Sequence, residues 1–311
     1  MKMVQNFIKR QDCYSSFWLV LLISMVFLAI IAMVGVLGCH AEKELEVKND
    51  THKNDATDDN DSDSKKPRGY NDDGYRDIDR NGHFYGDTDN DQKSYIIFSF
   101  DDGNSTDYRV VYPLLEAREL KGVVYINPDF QDRGRSCHMT WKQVKKLDEA
   151  GWDIECHSYS HANLQDLEDK EIEMEMNSVD NAFKANDLDP PEHHAFPYGY
   201  FDERVQEIVG QHRITQRTTM DGINTYPYNL EKLKSVCMCY NVDTLNDYVD
   251  EVTKKGGLLI FYTHDVQEEP YEWGIEKDKF IEVLDYSISK DVEIVTMSEF
   301  MEREKLTPLT D

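Results

Sequence analysis

The chain has 311 residues, with 34 Lys and Arg against 61 Asp and Glu and a formal net charge of −27. That length allows one large domain or two modest ones, each with a real core. Phosphate binding requires clustered Lys and Arg, so the charge excludes a nucleic-acid partner, and the acidity reads first as a solvated face.

The first distinctive segment, Phe17–Gly38, is almost wholly apolar. At about 1.5 Å per residue it is long enough to cross a hydrocarbon core of roughly 30 Å. Lys2, Lys9 and Arg10 precede it and acidic residues follow, so the positive-inside rule keeps the N-terminus cytoplasmic and exports the rest. Val36-Leu-Gly-Cys39 also resembles a lipobox, in which Cys39 would be lipidated after cleavage. Either anchor tethers the remainder outside the cell. The expected organisation is a cytoplasmic stretch 1–16, a transmembrane or lipoprotein signal segment 17–38, an acidic flexible linker 39–93 and a folded domain 94–305. The linker composition cannot offset its chain entropy by burial. Within it, Asp77-Ile-Asp-Arg-Asn-Gly82 matches the opening of a calcium loop, with Asp77, Asp79 and Asn81 as ligands, although Thr88 stands where a bidentate Glu belongs. An acidic linker that happens to match is the competing reading.

From Tyr95 onward, apolar runs alternate with amphipathic segments. The runs Tyr95–Phe100, Val123–Ile126, Trp152–Cys156, Leu258–Tyr262 and Val292–Val295 predict strands, with weaker ones near Ala195 and Cys237. Thr140-Trp-Lys-Gln143 is a capping box opening a helix that ends near Gly151. Helical spacing recurs over Glu168–Ala185, Asp202–Val209, Thr244–Lys254 and Lys277–Ser289. Continuous apolar strands alternating with helices argue for a parallel α/β sheet, closed as a barrel or open and doubly wound. Cys137, Cys156, Cys237 and Cys239 permit two disulfides outside the cell, with the pairing open, and are read as structural.

Several predicted strands end in unusual polar residues. The first ends in Asp101-Asp102-Gly103, the third in His157-Ser-Tyr-Ser-His161, the Ala195 run in Phe196-Pro-Tyr-Gly199, and Leu258–Tyr262 in Thr263-His264-Asp265. Parallel α/β barrels gather active sites at the C-terminal ends of their strands. His157 and His161 are four apart, so both imidazoles can face one point on a helical turn. One carboxylate of the aspartate pair would complete a two-His, one-carboxylate metal site, and the other would serve as base. His193 and His194 are adjacent on a strand and point to opposite faces, so neither is read as a ligand. The sequon at Asn104-Ser-Thr106 sits too close to Asp102 to carry a glycan and is read as unused.

Ser99-Phe-Asp-Asp-Gly103, His157-Ser-Tyr-Ser-His161, Phe196-Pro-Tyr-Gly199 and Leu258–His264, in that order, resemble the polysaccharide deacetylase (NodB-homology) family, carbohydrate esterase family four, over roughly Tyr95 to Met301. The resemblance implies a distorted TIM-like (β/α) barrel holding a divalent metal, usually Zn2+. By motif, Asp101 would be the base, Asp102, His157 and His161 the metal ligands, His264 the acid that protonates the departing amine, and Tyr198 the donor of an oxyanion-stabilising N–H. The implied reaction hydrolyses N-acetyl groups of an amino-sugar polysaccharide. Pro197, Tyr200 and Trp273 are candidate substrate contacts beside these motifs, with Phe201 and Tyr271 as further aromatic candidates. The protein is expected to act as a monomer. Two departures stand out: Ala195 occupies a position where many members carry an Arg that contacts the base, and the Asp-rich, Trp-containing fourth motif is not recognisable around Asp221–Tyr228. A different C–N hydrolase on the same barrel, or a catalytically weak carbohydrate-binding domain, are the competing readings.

Overall fold

The computed structural model describes residues 93–306 together with the backbone of two short strands, β1 (Asp77–Ile78) and β2 (Phe84–Tyr85). The anchor segment, Cys39, Asp79 and Asn81 lie outside the described residues. No helix among those described is long and apolar enough to cross a membrane. β1 and β2 pair antiparallel, with Asp77 opposite Tyr85, so the segment read as linker contains a local ladder. One compact unit, Pro67–Asp311, includes all the described residues.

The main sheet is parallel throughout. In chain order its strands are β3 (Ser94–Asp101), β4 (Val123–Ile126), β5 (Asp153–Cys156), β6 (His193–Ala195), β7 (Thr215–Arg217), β8 (Val236–Cys237) and β9 (Gly257–Thr263). Across the sheet the order is β7-β6-β5-β4-β3-β9-β8. A short parallel pair, β10 (Val266–Gln267) and β11 (Ile275–Glu276), follows the sheet, and β12 (Glu293–Ile294) adds to the start of β3. The two ends of the path meet at one parallel bridge, Arg217↔Leu233, just before β8. Leu233 N–H donates to the Gln216 carbonyl at 2.9 Å there, and Thr218 N–H to the Leu233 carbonyl at 2.8 Å. The expected barrel is therefore a curled sheet drawn together by a few hydrogen bonds between 216–220 and 233–235, with helices on its outer face.

The strands are continuously apolar because both faces are buried. On β3, Ile96, Phe98 and Phe100 belong to the outer core beneath the helices, whereas Tyr95 and Ile97 belong to a separate inner cluster. Each such side chain contributes roughly 1.5–3 kcal/mol on burial. The same two-residue period places Ser99 and Asp101 on the inner face of β3. It also places Asp153, Glu155 and His157 inward along β5, and Thr215 and Arg217 along β7. The polar interior thus follows from strand geometry once the apolar outer face is fixed.

The capping box at Thr140 forms: Gln143 Oε1 accepts the Thr140 N–H at 2.8 Å, and the helix runs Trp141–Glu149. Helices Asp169–Ala185, Glu203–Gly210, Val242–Lys255 and Lys277–Ile288 fall within a few residues of their predicted positions. β7 has no counterpart among the predicted strands. Its sequence, Thr-Gln-Arg, lacks an apolar run because its inward residues are polar. Among the four domain cysteines, Cys237 and Cys239 are bridged to each other and Cys156 is a buried free thiol.

Candidate active site

The site forms where β3, β5, β6 and β9 end. Asp101 is the last residue of β3, and the chain then turns through two successive left-handed residues, Asp102 (φ 68°) and Gly103 (φ 62°). A side chain at position 103 would meet Gln131 Nε2 and Ile126 Cγ2 at 2.8 Å each, so both conformation and space require glycine. The left-handed turn at Asp102 departs from the strand alternation that would otherwise separate its side chain from that of Asp101.

Past β5, His157 and His161 converge, but not on a helical turn. The chain from Ser158 to His161 is an irregular loop with left-handed backbone at Ser158 (φ 60°) and His161 (φ 61°). Ser158 Oγ accepts the His161 N–H at 3.0 Å. Glu175, on the helix Asp169–Ala185, accepts from Tyr159 N, Ser160 N and Ser160 Oγ at 2.8, 2.9 and 2.7 Å. Asn127 donates to the His157 and Ser158 carbonyls. This network replaces the helix expected from the four-residue spacing.

Asp102 Oδ1 lies 3.4 Å from His161 Nε2 and 3.7 Å from His157 Nε2. Asp102, His157 and His161 each offer a ligand atom within 4.8 Å of the others. His157 Nδ1 lies 2.7 Å from the Ala195 carbonyl. A carbonyl can only accept, so Nδ1 carries the proton and Nε2 presents a lone pair. Asp102 Oδ1 and His157 Nε2 are both buried without a hydrogen-bond partner among the described residues. Orphaned ligand atoms facing one point fit a divalent cation. Burial would raise the Asp102 carboxyl, but His161, His264 and His157 hold it down at about 2. Burial likewise lowers His157 to about 4, so it is a neutral imidazole at ordinary pH.

Asp101 is held from the opposite side of the curled sheet. Arg217 Nη2 donates to Asp101 Oδ2 at 2.6 Å, both side chains being almost fully buried. Nη1 donates to Ser235 Oγ at 3.2 Å, and the guanidinium lies over the rings of Tyr125 and Tyr262 at 5.2 and 4.9 Å. Arg217 sits on β7 directly opposite Ala195 of β6. The guanidinium absent at position 195 is supplied one strand further on. Sequence reasoning missed it because Arg217 lies in a polar stretch with no motif around it.

His264 follows β9, with Nε2 3.9 Å from Asp101 Oδ2. Its carbonyl accepts from Asn104 Nδ2 and from Tyr271 Oη, which fixes the turn. His264 Nδ1 is buried with no hydrogen-bond partner among the described residues. Asp221 instead accepts from Tyr240 Oη at 2.7 Å, consistent with the missing fourth motif. Asn104 is itself buried and donates to Asp101 O as well, so its amide is committed to the turn rather than available to a glycan.

Tyr198 has left-handed backbone (φ 60°) within the turn Pro197–Gly199, and its ring packs edge-on to His161 at 4.5 Å. Tyr198, Tyr200 and Trp273 are at least half exposed, whereas Pro197 is buried. Phe201 stacks on Phe196, and Tyr271 serves the His264 turn, so these two are packing residues. His193 and His194 do point to opposite faces, His194 outward onto Cys156 and Phe196. Asp77 is described only as β1 backbone, and its candidate calcium partners Asp79 and Asn81 are not among the described residues.

Residues 88–216 match the model of the polysaccharide deacetylase family. A Bacillus subtilis protein, YxkH, assigned by name to the polysaccharide deacetylases, is 28% identical over 26% of this chain; the match spans 28% of its own length. A Mycobacterium smegmatis structure bearing the same assignment aligns with a TM-score of 0.57 over 72% of this chain and 96% of its own, at 13% identity. The Streptococcus pyogenes deacetylase PplD, solved with acetate, aligns over 45% of this chain and 62% of its own, with 22% identity and a TM-score of 0.43.

Proposed function

We propose that this chain, whose residues 88–216 match the polysaccharide deacetylase family, is a metal-dependent hydrolase removing N-acetyl groups from amino sugars of an extracellular or envelope polysaccharide. The observation that carries this reading is the convergence of Asp102, His157 and His161, with Asp101 and His264 beside them. Those three residues would hold a divalent cation, Zn2+ being the ion best suited to two imidazoles and a carboxylate. When bound, it supplies Lewis acidity toward the acetyl carbonyl and toward water.

Asp101, oriented by Arg217, takes a proton from the attacking water, whose oxygen bonds to the carbonyl carbon. The Tyr198 N–H is assigned to the oxygen on which negative charge develops. His264 Nε2 gives a proton to the nitrogen as the C–N bond breaks, so acetate and a free amine leave. An amide needs that proton more than an ester does, because an amine anion is a poor leaving group. The exposed Tyr200 and Trp273 flank the site as sugar-facing surfaces. Segment 17–38 tethers the enzyme, as a helix or through lipidated Cys39, with the catalytic domain outside the cell and the chain acting as a monomer.

The test is acetate and free-amine release by the detergent-solubilised chain from chitooligosaccharide, peptidoglycan, poly-N-acetylglucosamine and acetylated xylan, with and without chelator. Equal acetate and amine, abolished by chelator and restored by Zn2+, is expected. Release from acetylated xylan alone, or release indifferent to chelator, overturns the proposal.

A further inference from the structure

The opposite end of the curled sheet holds a second group of ligands. Asp153 is the first residue of β5 and His193 the first of β6, so both sit at the N-terminal ends of strands whose C-terminal ends carry the deacetylase residues. Between them, Glu155 points into the same interior. One ligand atom from each of Asp153, Glu155 and His193 lies within 4.8 Å of the other two.

Each group is held by a hydrogen bond. Glu155 Oε2 accepts the His193 backbone N–H at 2.8 Å. Asp153 Oδ2 accepts the Ser298 N–H at 2.8 Å, at the start of the helix Met297–Arg303. His193 Nδ1 contacts Thr215 Oγ1 at 3.1 Å. With one ring nitrogen engaged by that hydroxyl, Nε2 remains, and it is buried without a hydrogen-bond partner among the described residues in a side chain 1% exposed. An imidazole anchored through one nitrogen, with the other unpaired against two carboxylates, has the arrangement of a metal ligand. A cleft of about 250 Å3 reaches the cluster, lined by Asp153, Glu155, Asp189, Glu192 and Ser298 among others. Its acidic walls would concentrate cations at the entrance.

We propose that Asp153, Glu155 and His193 form a second divalent-cation site, structural rather than catalytic, at the N-terminal mouth of the sheet. One nitrogen and two carboxylate ligands suit Zn2+ or Mn2+ better than Ca2+ or Mg2+, which prefer all-oxygen sets. A dication cancels the charge of two carboxylates placed side by side and ties β5, β6 and the final helix together. This site stands apart from the deacetylase reading, since none of its residues takes part in that reaction.

The test counts metal. The full chain in detergent is stripped with chelator, dialysed against Zn2+ or Mn2+ and assayed for bound ion by mass spectrometry. Two equivalents are expected for the wild type. Asp102→Ala/His161→Ala, which leaves the first site a single ligand, should keep one. Asp153→Asn should also keep one, while releasing acetate at the wild-type rate. His193→Gln checks the same loss from the buried side. A wild type that binds one equivalent overturns the proposal, as does a second equivalent that survives both Asp153→Asn and His193→Gln. Should either substituted chain fail to fold by circular dichroism, the count on Asp102→Ala/His161→Ala decides: one equivalent supports the second site and none removes it.

Discussion

β3 and β9 pair along seven residues and are apolar nearly to their ends, whereas β6 and β7 are three residues each and mostly polar. The first pair delivers Asp101 and His264 to the site. The second delivers the Ala195 carbonyl that orients His157 and the guanidinium that holds Asp101. One half of the sheet presents the two side chains proposed to move protons, and the other holds Asp101 and His157 in place. The halves meet in the buried pair Asp101–Arg217, and the most informative experiments act on either side of it.

The largest effect is expected on the apolar side. Asp101→Asn preserves the shape at the end of β3 and still accepts a hydrogen bond from Arg217, but it cannot take a proton. Turnover should fall by about 10³-fold or more, with zinc content and affinity for an N-acetylated oligosaccharide unchanged. A variant with intact zinc and wild-type turnover would show that the base lies elsewhere.

The next effect belongs to the polar side and is read as stability. Arg217→Gln leaves Asp101 as a buried carboxylate without its cation, which costs about 3–5 kcal/mol. Asp101→Asn/Arg217→Gln removes the orphaned charge as well, so urea unfolding should place the double variant above Arg217→Gln alone. If the two substitutions simply add, the halves are not coupled through this pair. Arg217→Lys should restore charge but not the fork over two rings, and so recover activity only in part.

This division also explains what could be read from the amino-acid order. The outer-face period of β3, β4, β5 and β9 is written largely in Ile, Val, Phe and Leu, and the candidate ligands follow directly at strand ends, so the strands and the grouping of Asp102, His157 and His161 were legible. β7 was not, because a strand whose inward residues are Thr215 and Arg217 has no apolar signature. Ala195 stood out as a departure from the family pattern for the same reason: the guanidinium that meets Asp101 lies across a strand pairing, not along the chain. The spacing of His157 and His161 gave the right convergence through the wrong local structure, since left-handed residues at 158 and 161 are not encoded by Gly or Asn. The adjacency of 193 and 194 led to neither being read as a ligand, because it gave no sign of what His193 meets within the interior.

On the apolar side again, His264→Ala should leave metal content unchanged and lower turnover by roughly 100-fold. The loss should be smaller for substrates whose leaving nitrogen is already a weak base, because they need less help from an acid. Equal losses across a series of leaving groups would argue that His264 binds substrate rather than protonating it.

The smallest effect is the pH dependence of stability in the metal-stripped chain, and it reports on the buried imidazoles of the polar half. Burial lowers His157 to about 4 and His193 to about 3 from an ordinary value of 6.5. A depressed folded value means that the unfolded chain binds these protons first as pH falls. Stability from these groups is therefore complete above about pH 6.5 and declines as pH falls toward 4, first through the unfolded value and then through the folded ones. Each fully buried imidazole should contribute on the order of 2 kcal/mol of loss by pH 5. Urea midpoints of the stripped chain from pH 7.5 down to 5, as chosen assay conditions at about half-unit steps, should show the decline. His193→Gln should reduce its slope by about one proton, because Gln does not titrate. Zn2+ should flatten the curve further by competing with protons for the neutral nitrogens. A stripped chain whose stability is level across that range would mean that the imidazoles at the two ends of β5 and β6 are solvated, and that the polar half of the sheet is looser than its strand register implies.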